Sequence, residues 1–324
     1  MVRAVTHFTF SIGYFFNQKM EEVIRFNFLY FNKNLSFSFI LHSMKNRSTI
    51  LFAILLLFTI HNASAQYSDV QEGQFGVTLG AAHYFGDLNN RAAVNRPKIA
   101  VGGFFRKQFN NYTGLRISAH YLQLGYSDVY SKNDYQKRRN LSFNSNVWEI
   151  ALQGDFNFFK FIPDDPDHLF TPYVTLGVGI FSYDPYAFYQ GEKIFLRPLN
   201  TEGQTFYQNR KAYGTMALCL PIGIGIKYSI NQNLNFSFEI THRFTSTDYL
   251  DDVSTTYIGI DKFPSPNGVP SIASLLQDRS YETGEPIGVE GRQRGWSKQK
   301  DQYIIAEVGL SFNLSSYRCP PVKH

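Results

Sequence analysis

The last stretch of the chain, residues 303–314, alternates strictly between apolar side chains and polar or small ones. Successive side chains of a β-strand point to opposite faces, so this period of two predicts a strand with one apolar and one polar face. The apolar positions are Ile304, Ala306, Val308, Leu310, Phe312 and Leu314. The opposite face carries Glu307, Gly309, Ser311 and Asn313.

Seven upstream segments carry similar alternation, which is least clean in the second. They are residues 75–82, 97–108, 115–121, 148–158, 172–183, 216–227 and 234–243. Most of them approach the roughly 9–11 residues that a tilted strand needs to cross a bilayer. An open sheet would leave unpaired backbone groups in lipid, so the first and last strands must pair. The sequence therefore predicts an all-β fold, a membrane-spanning eight-stranded antiparallel up-and-down β-barrel.

A secretion signal precedes the first predicted strand. Residues 44–65 contain a basic start at Lys45 and Arg47, an apolar run at residues 50–60, and the small residues Ala63-Ser64-Ala65 before a cleavage point. Residues 66–324 then form one barrel domain. Residues 1–43 have no strand or helix period and are interpreted as a mis-assigned start or disordered leader, with a cleaved pre-sequence or anchor helix as the alternative.

The connections between the predicted strands alternate in length. Those near Asn110, Ile162 and Asn231 are short, whereas residues 87–96, 127–142, 184–213 and 247–300 form long loops. Bacterial outer-membrane barrels have short periplasmic turns and long extracellular loops. We therefore expect residence in the outer membrane of a Gram-negative bacterium, with both termini periplasmic. Aromatic residues make up 17% of the chain, which suits girdles at both membrane interfaces.

Several charged residues fall on the predicted inner face of the barrel. Buried charges must be paired to be tolerated, and an eight-strand lumen is just wide enough for side chains to fill. A structural plug of ion pairs is favoured, and a proton or ion path is the alternative. The predicted luminal charge network is Arg116, His120, Glu149, Asp155, Lys227, Glu239, Arg243 and Glu307.

No catalytic motif stands out, although His83, His120, His242, Ser118 and Asp87 would suit a hydrolase. Since no nucleophile elbow or metalloprotease motif is present, the protein is expected not to be an enzyme and to carry no cofactor.

The segment 247–257 places Asp248, Asp251 and Asp252 at the outer end of the seventh predicted strand. A solvated or hydrogen-bonded loop anchor is favoured there over a Ca²⁺ site, because the EF-hand order of acids and glycine is missing.

Basic runs at residues 137–139 and 292–300 lie in predicted outer loops, where they could meet lipopolysaccharide phosphates. Soluble loops are the alternative. The net charge of +5 includes the leader, so it does not indicate nucleic-acid binding. Cys219 and Cys319 could pair in an oxidising periplasm, but sequence alone does not give the geometry of a disulfide.

Four segments resemble the outer-membrane barrel family of Bacteroidetes that includes PorG and is associated with type IX secretion. They are FGVTLGAAHYFGDLN (75–89), YQKRRNLSF (135–143), FTPYV (170–174) and TDYLDDVS (247–254). The resemblance implies an eight-strand barrel without catalysis and, for PorG, contact with periplasmic secretion-ring lipoproteins. The family offers no established binding residues to carry over, and the tail after Phe312 departs from the terminal aromatic common in barrels.

The expected function is a non-catalytic anchor of a type IX secretion assembly in the outer membrane. Its possible periplasmic contact is the acidic turn with Asp164, Asp165 and Asp167. The alternative is a structural or adhesive surface barrel that binds through its extracellular loops. A small-solute or ion channel is a third hypothesis.

Overall fold

The structure, a computed structural model, describes residues 73–90, 93–207 and 210–314. The predicted leader, the signal peptide and Cys319 lie outside these ranges. Within them, no helix is long and apolar enough to cross a membrane.

Ten strands form one antiparallel sheet, and eight of them close into a barrel. The strands are β1 (Gly73–Phe85), β2 (Lys98–Gln108), β3 (Thr113–Ser127), β4 (Ser142–Asn157), β5 (Phe170–Ser182), β6 (Tyr186–Tyr189), β7 (Glu192–Phe195), β8 (Met216–Ser229), β9 (Leu234–Thr245) and β10 (Gln302–Leu314). Around the barrel the order is β1, β2, β3, β4, β5, β8, β9, β10. β10 pairs with β1 from Gly73–Leu314 to Phe85–Gln302, which closes the ring. The predicted eight-stranded antiparallel β-barrel is confirmed.

Several strands continue past the bounds that the sequence predicted. β4 begins at Ser142 rather than Trp148, and β3 continues from Tyr121 to Ser127. In these extensions the apolar residues change from the outward to the inward positions. Phe143 and Val147 face inward and are almost fully buried. Leu122 and Leu124 do the same on β3. The extensions therefore enclose an apolar core, whereas the rest of the barrel encloses polar side chains.

The apolar core lies at the end of the barrel that carries the long loops. It joins inward side chains of the strand extensions to side chains of the loops. Its barrel members include Tyr84, Leu124, Phe143, Tyr303 and Ile305, and its loop members include Leu141, Leu196, Leu250, Val253 and Leu276. We call the folded loops at this end the loop cap, which comprises the described residues of 86–97, 128–141, 183–215 and 246–301.

The loop cap contains secondary structure that the strand pattern did not predict. β6 and β7 form a hairpin that touches β4 through the pair Asn144–Tyr186. Two short helices, α1 (Asp134–Arg139) and α2 (Ile272–Gln277), lie in the β3–β4 and β9–β10 connections. Asn133 caps α1 by accepting the Tyr135 N–H, and Ser271 caps α2 by accepting the Ser274 N–H. The long loops thus form an ordered structure at one end of the barrel.

Candidate functional site

The outer wall of the barrel is covered with exposed apolar side chains. The side chains of Trp148 and Ile224 are each 64% exposed, whereas large apolar side chains in the core of a soluble protein are almost fully buried. Large continuous patches of exposed apolar side chains mark surfaces that contact lipid or another protein. Here they form a band on the outward positions of every barrel strand, as the alternation predicted. Members of the band are Phe75, Val77, Leu79, Ile99, Ile117, Ile150, Leu152, Leu176, Val178, Leu218, Leu220, Phe238, Val308 and Leu310.

Inside the barrel, Asp155 of β4 lies among three cations. Its Oδ2 is 2.6 Å from Arg106 Nε and 3.5 Å from Lys227 Nζ, and its Oδ1 is 3.6 Å from Arg116 Nη2. All four side chains are almost fully buried. Such charges are tolerated only when their partners are in place. This group balances part of its excess positive charge through Glu239.

Glu239 of β9 is the second carboxylate of the same group, because Arg116 contacts both it and Asp155. Arg116 Nη1 lies 2.8 Å from Glu239 Oε2, and the hydroxyls of Tyr173 and Thr241 each donate to this carboxylate at 2.6 Å. Gly225 makes room for the Tyr173 ring, because a Cβ atom there would lie 2.6 Å from Tyr173 Cζ. The Glu239 carboxylate is therefore fully engaged.

A second charged group surrounds Glu149 of β4. Arg243 Nη2 lies 3.3 Å from Glu149 Oε1, and the Tyr303 hydroxyl donates to Oε2 at 2.5 Å. His120 stands between two carboxylates, with Nδ1 at 3.7 Å from Glu149 Oε1 and Nε2 at 3.3 Å from Glu307 Oε2. The structure thus places all eight predicted luminal residues inside the barrel and brings them into two adjoining groups.

These interactions cross the full width of the barrel. β3 and β9 are four strands apart in a ring of eight, so the Arg116–Glu239 pair joins opposite walls. β4 and β10 are also four apart, and the bond from Tyr303 to Glu149 joins them. An eight-strand lumen is narrow enough for two side chains to meet in this way. The arrangement is that of an internal brace.

The sequence argument missed Arg106, which is 1% exposed and central to this brace. Its Nη1 donates to Gln74 Oε1 at 3.0 Å in addition to the Asp155 pair. In β2 the Gly102-Gly103 pair and the adjacent Phe104 and Phe105 obscure the alternation. Gln108, also buried, is a polar residue two positions after Arg106 and so lies on the same face of the strand. This polar pair was the sequence signal that could have identified Arg106 as an inward residue.

The acidic motif of the 247–257 segment is buried at the centre of the loop cap. Asp251 Oδ2 accepts the Tyr84 hydroxyl at 2.5 Å, and Asp301 Oδ1 accepts the same hydroxyl at 3.1 Å. Asp252 accepts the hydroxyls of Thr201 and Tyr213, each at 2.5 Å. Asp251 therefore ties its loop to β1, and Asp252 ties it to the 183–215 loop. Among the described residues, no group of three or more His, Cys, Asp or Glu side chains is arranged to hold a metal ion.

Burial changes the protonation of these cap carboxyls. It raises the pKa of Asp248 to about 7 and that of Asp252 to about 6. Burial, followed by the nearby charge of Asp301, raises the pKa of Asp251 well above its ordinary value. Burial and the charge of Asp248 act in the same direction on the pKa of Asp301. Two carboxyls that contact one hydroxyl repel each other when both are ionised, which acts in the same direction as burial on the pKa of Asp251.

Two buried ion pairs of the loop cap were not predicted from the sequence. Arg139 binds Asp128 through Nε and Nη2, each at 2.7 Å, and also donates to the carbonyls of Asp87 and Arg294. Arg294 Nη1 lies 3.0 Å from Glu202 Oε1. The Glu202 carboxylate also accepts the backbone N–H groups at positions 254 and 255. Each pair thus fixes backbone from two or more loops.

The basic runs are less available to phosphate than the sequence suggested. Arg139 and Arg294 are buried in the ion pairs just described, and Arg138 donates to the carbonyls of Ser280 and Glu285. Their guanidinium groups hold loops together. Lys137, Arg292, Lys298 and Lys300 remain exposed on the cap surface.

The acidic turn between β4 and β5 lies at the other end of the barrel. Asp164 and Asp167 are exposed, and Asp165 is partly exposed. His168 Nδ1 lies 2.8 Å from Asp165 Oδ2, and this hydrogen bond lowers the pKa of Asp165. Asp164 has a φ of 68°, a left-handed conformation that Asp tolerates better than most residues. The turn therefore presents carboxylates to solvent from a fixed backbone.

The residues considered for hydrolase chemistry are engaged elsewhere. Ser118 donates to Gln153 Oε1 at 3.2 Å, and His120 contacts the two carboxylates named above. His83 Nε2 lies 2.6 Å from the Ala93 carbonyl, and His242 Nε2 lies 2.7 Å from Gln302 Oε1. Cys219 is buried and has no disulfide partner in the part of the chain that the structure describes, and its Sγ lies 3.9 Å from Glu149 Oε2. These contacts belong to the internal brace and to the strand ends.

Solved structures similar to this chain are bacterial outer-membrane and surface barrels. The N-terminal β-barrel domain of Pseudomonas aeruginosa OprF is 10% identical, with a TM-score of 0.33, and the match covers 76% of this chain and 100% of that domain. Neisserial surface protein A is 9% identical with a TM-score of 0.37, at 76% and 100% coverage. The outer membrane protein OprG from Pseudomonas aeruginosa is 12% identical with a TM-score of 0.32, at 76% and 98% coverage. These values support no transfer of function.

No curated protein matches the chain. A family of conserved sequences does match it, over residues 48–257, which is more than half of its length. That range begins within the predicted signal peptide and runs through β9 to the end of the acidic cap motif. The chain belongs to the family described as a domain of unknown function, DUF6089.

Proposed function

We propose that the protein is a non-catalytic outer-membrane β-barrel that anchors a periplasmic secretion assembly of the type IX kind. The observation that carries the membrane part is the band of exposed apolar side chains around a closed barrel. Only closed barrels and helices satisfy their backbone hydrogen bonds within lipid. The opposite-wall ion pairs favour a scaffold over a solute channel, since a conducting path would have to pass between them.

The unequal ends of the barrel support the orientation that we propose. Short turns of bacterial barrels lie in the periplasm and long loops lie outside the cell. The acidic turn and both ends of the described sheet would then be periplasmic, and the loop cap extracellular. The periplasmic partners we propose are secretion-ring lipoproteins, as the sequence resemblance to the PorG-containing family implies.

The acidic turn is the contact that we propose for such a partner. Asp164 and Asp167 extend into solvent, and a partner with basic side chains would gain charge-assisted hydrogen bonds there. Charged rims of this kind set association rate and partner choice more than they set affinity.

Co-purification of tagged protein from native outer membranes, with mass spectrometry of bound proteins, tests the role. The variant Asp164→Asn/Asp167→Lys removes one negative charge and reverses a second but keeps the Asp165–His168 bond. We expect it to lose most of the co-purified ring lipoproteins. Gln232→Lys/Asn233→Lys is the matched control, because it adds charge to another exposed short turn. Undiminished recovery with the Asp164/Asp167 variant would eliminate the turn as the contact, and recovery of the barrel alone from wild type would eliminate the anchor role.

A second candidate is a structural or adhesive surface barrel, and the ordered loop cap favours it. Four loops held together by buried ion pairs form a fixed surface for binding outside the cell. The exposed Lys137, Arg292, Lys298 and Lys300 could also contact lipopolysaccharide phosphates. Shortening the 184–213 and 247–300 loops separates the candidates, since an anchor would still support secretion whereas an adhesin would lose binding.

A further inference from the structure

A pocket of about 220 Å³ lies in the loop cap, where three loops meet. The β1–β2, β3–β4 and β9–β10 connections each supply part of its lining. Trp296 and Tyr135 are 52% and 38% exposed, so the pocket opens to solvent beside two aromatic rings. Its lining includes Asp87, Asn133, Tyr135, Gln293, Trp296 and Gln299.

The floor of the pocket is held rigid by buried charges. Arg139 binds Asp128 and donates to the carbonyls of Asp87 and Arg294, which ties the three lining loops together. Arg294 is itself paired with Glu202. A pocket fixed before binding does not lose conformational freedom when a ligand enters, so even a small ligand can gain affinity.

The wall that carries Trp296 is also fixed. Both Asp87 oxygens accept the Trp296 backbone N–H, at 2.9 and 3.1 Å. A Cβ atom at position 295 would lie 2.4 Å from Asp87 Oδ2, so only Gly295 allows this approach. The Tyr135 hydroxyl donates to the Gln293 carbonyl at 2.7 Å, which ties a second aromatic side chain of the lining to the β9–β10 loop. The two aromatic residues therefore have defined positions.

The charges at the pocket argue against an ionic ligand. Arg139 and Arg294 have their charges balanced by Asp128 and Glu202, so little attraction remains for an anion. Asp87 already accepts two hydrogen bonds from one N–H, and burial raises its pKa to about 6. A cation would therefore meet a carboxyl whose two oxygens already accept the Trp296 N–H.

What remains accessible is a set of neutral amides next to aromatic rings. Asn133, Gln293 and Gln299 are among the lining residues, and an amide side chain can both donate and accept hydrogen bonds. The Asn133 oxygen already accepts the Tyr135 N–H, so this residue offers its NH2 group. Aromatic rings pack well against apolar C–H groups, and amides pair with hydroxyls. A pyranose sugar presents these two kinds of surface on one small molecule. We propose that this pocket binds a neutral hexose unit of a glycan.

The proposal is independent of the anchor role, since the pocket and the acidic turn lie at opposite ends of the barrel. Binding to the purified protein can succeed whether or not secretion-ring proteins co-purify. It would supply the adhesive candidate with a ligand class if the loop cap faces outward.

The experiment uses the full barrel in detergent micelles and follows fluorescence. The chain has two tryptophans, so Trp148→Phe leaves Trp296 as the sole reporter at the pocket. The probes are the methyl glycosides of glucose, galactose, mannose and N-acetylglucosamine. We expect at least one to change the Trp296 emission saturably, with a dissociation constant of about 0.1–10 mM.

The Gln293→Ala/Gln299→Ala variant, made in the Trp148→Phe protein, removes two amides but leaves the Gln293 carbonyl in place. Each amide removed takes away a neutral hydrogen bond to the sugar, so we expect affinity to fall about tenfold or more. Gln232→Ala, at the distant short-turn end, is the control and should bind as before. Absence of a saturable change with all four glycosides, or equal affinity in the double variant, would overturn the proposal.

Discussion

The barrel lumen and the loop cap both bury charged side chains, but they hold them by different means. In the lumen, carboxylates such as Asp155 and Glu149 meet cations from other strands, and side chain contacts side chain. In the cap, Glu202 and Asp301 accept backbone N–H groups of the loops as well as side-chain partners. The strand ladder positions the luminal charges, whereas the cap charges position the backbone. Loss of a charge should therefore weaken the lumen as a whole but open the cap locally.

The largest effect is expected for Asp155→Asn, which leaves Arg106, Arg116 and Lys227 close together without their shared carboxylate. Breaking a buried charge group in this way costs about 3–5 kcal/mol of unfolding free energy. Urea unfolding of the refolded barrel, followed by Trp148 fluorescence in a Trp296→Phe background, measures it. Lys227→Met in the same protein should recover part of the loss, because it removes one of the uncompensated cations. An unchanged midpoint would contradict the role of Asp155.

Arg294→Met should cost about 3 kcal/mol, because it leaves Glu202 buried without its cation. We expect the effect to be confined to the loop cap, so that limited proteolysis cuts residues 246–301 while the barrel strands stay protected. Arg292→Met is the control, since Arg292 is exposed and two residues away. If both variants resist protease equally, the cap does not depend on this pair.

The loop cap should lose stability as pH rises. The pKa of Asp248 is about 7 and that of Asp252 about 6, above the roughly 3.9 of an unfolded Asp, so the folded state binds more protons between these values. The free energy of unfolding is therefore highest below about pH 3.9, falls as pH rises towards the folded pKa values of about 6 and 7, and levels off above them. Urea titrations at about pH 5 and about pH 8, read by Trp296 with Trp148→Phe, measure the difference. Asp248→Asn should reduce this difference, and an equal cap midpoint at both pH values would refute the linkage.

The smallest effect is expected for Glu282→Gln on the cap surface. Arg279 Nε lies 3.0 Å from Glu282 Oε1, but the side chains are 15% and 29% exposed. A pair in contact with water contributes about 0.2–1 kcal/mol. The same Trp296 urea titration should show a shift within that range. A loss as large as that of Arg294→Met would remove the distinction between buried and surface pairs in the cap.

The sequence predicted the outer wall of the barrel well, because alternation there follows directly from a wall between an apolar outer face and a polar interior. Trp148, Ile150 and Leu152 of β4 illustrate this. It did not predict the extensions, since Phe143 and Val147 reverse the phase where the outer face meets water and the inner face meets the apolar core. In the sequence, the point where apolar residues switch faces looks the same as the point where the strand ends, because the alternation is interrupted in both cases.

The cap pairs were beyond a local pattern for another reason. Glu202 and Arg294 are 92 residues apart, and neither lies on a periodic segment. Their partners are set by how several loops meet, so the acidic motif could be recognised as a loop anchor while its contacts could not. Charges of the lumen were more accessible, because each occupies a strand position whose face the alternation gives.

Arg139 joins loops that are far apart in the chain, and this has a kinetic consequence. Its bond to the Arg294 carbonyl spans 155 residues, and the bond from Tyr84 to Asp301 spans 217. Contacts of such long range form late, because loop closure must precede them. The cap can therefore assemble only after all four loops have reached the same end of the barrel. In the bilayer that we propose, the assembled cap would oppose withdrawal of the strands, because these buried pairs would have to break first.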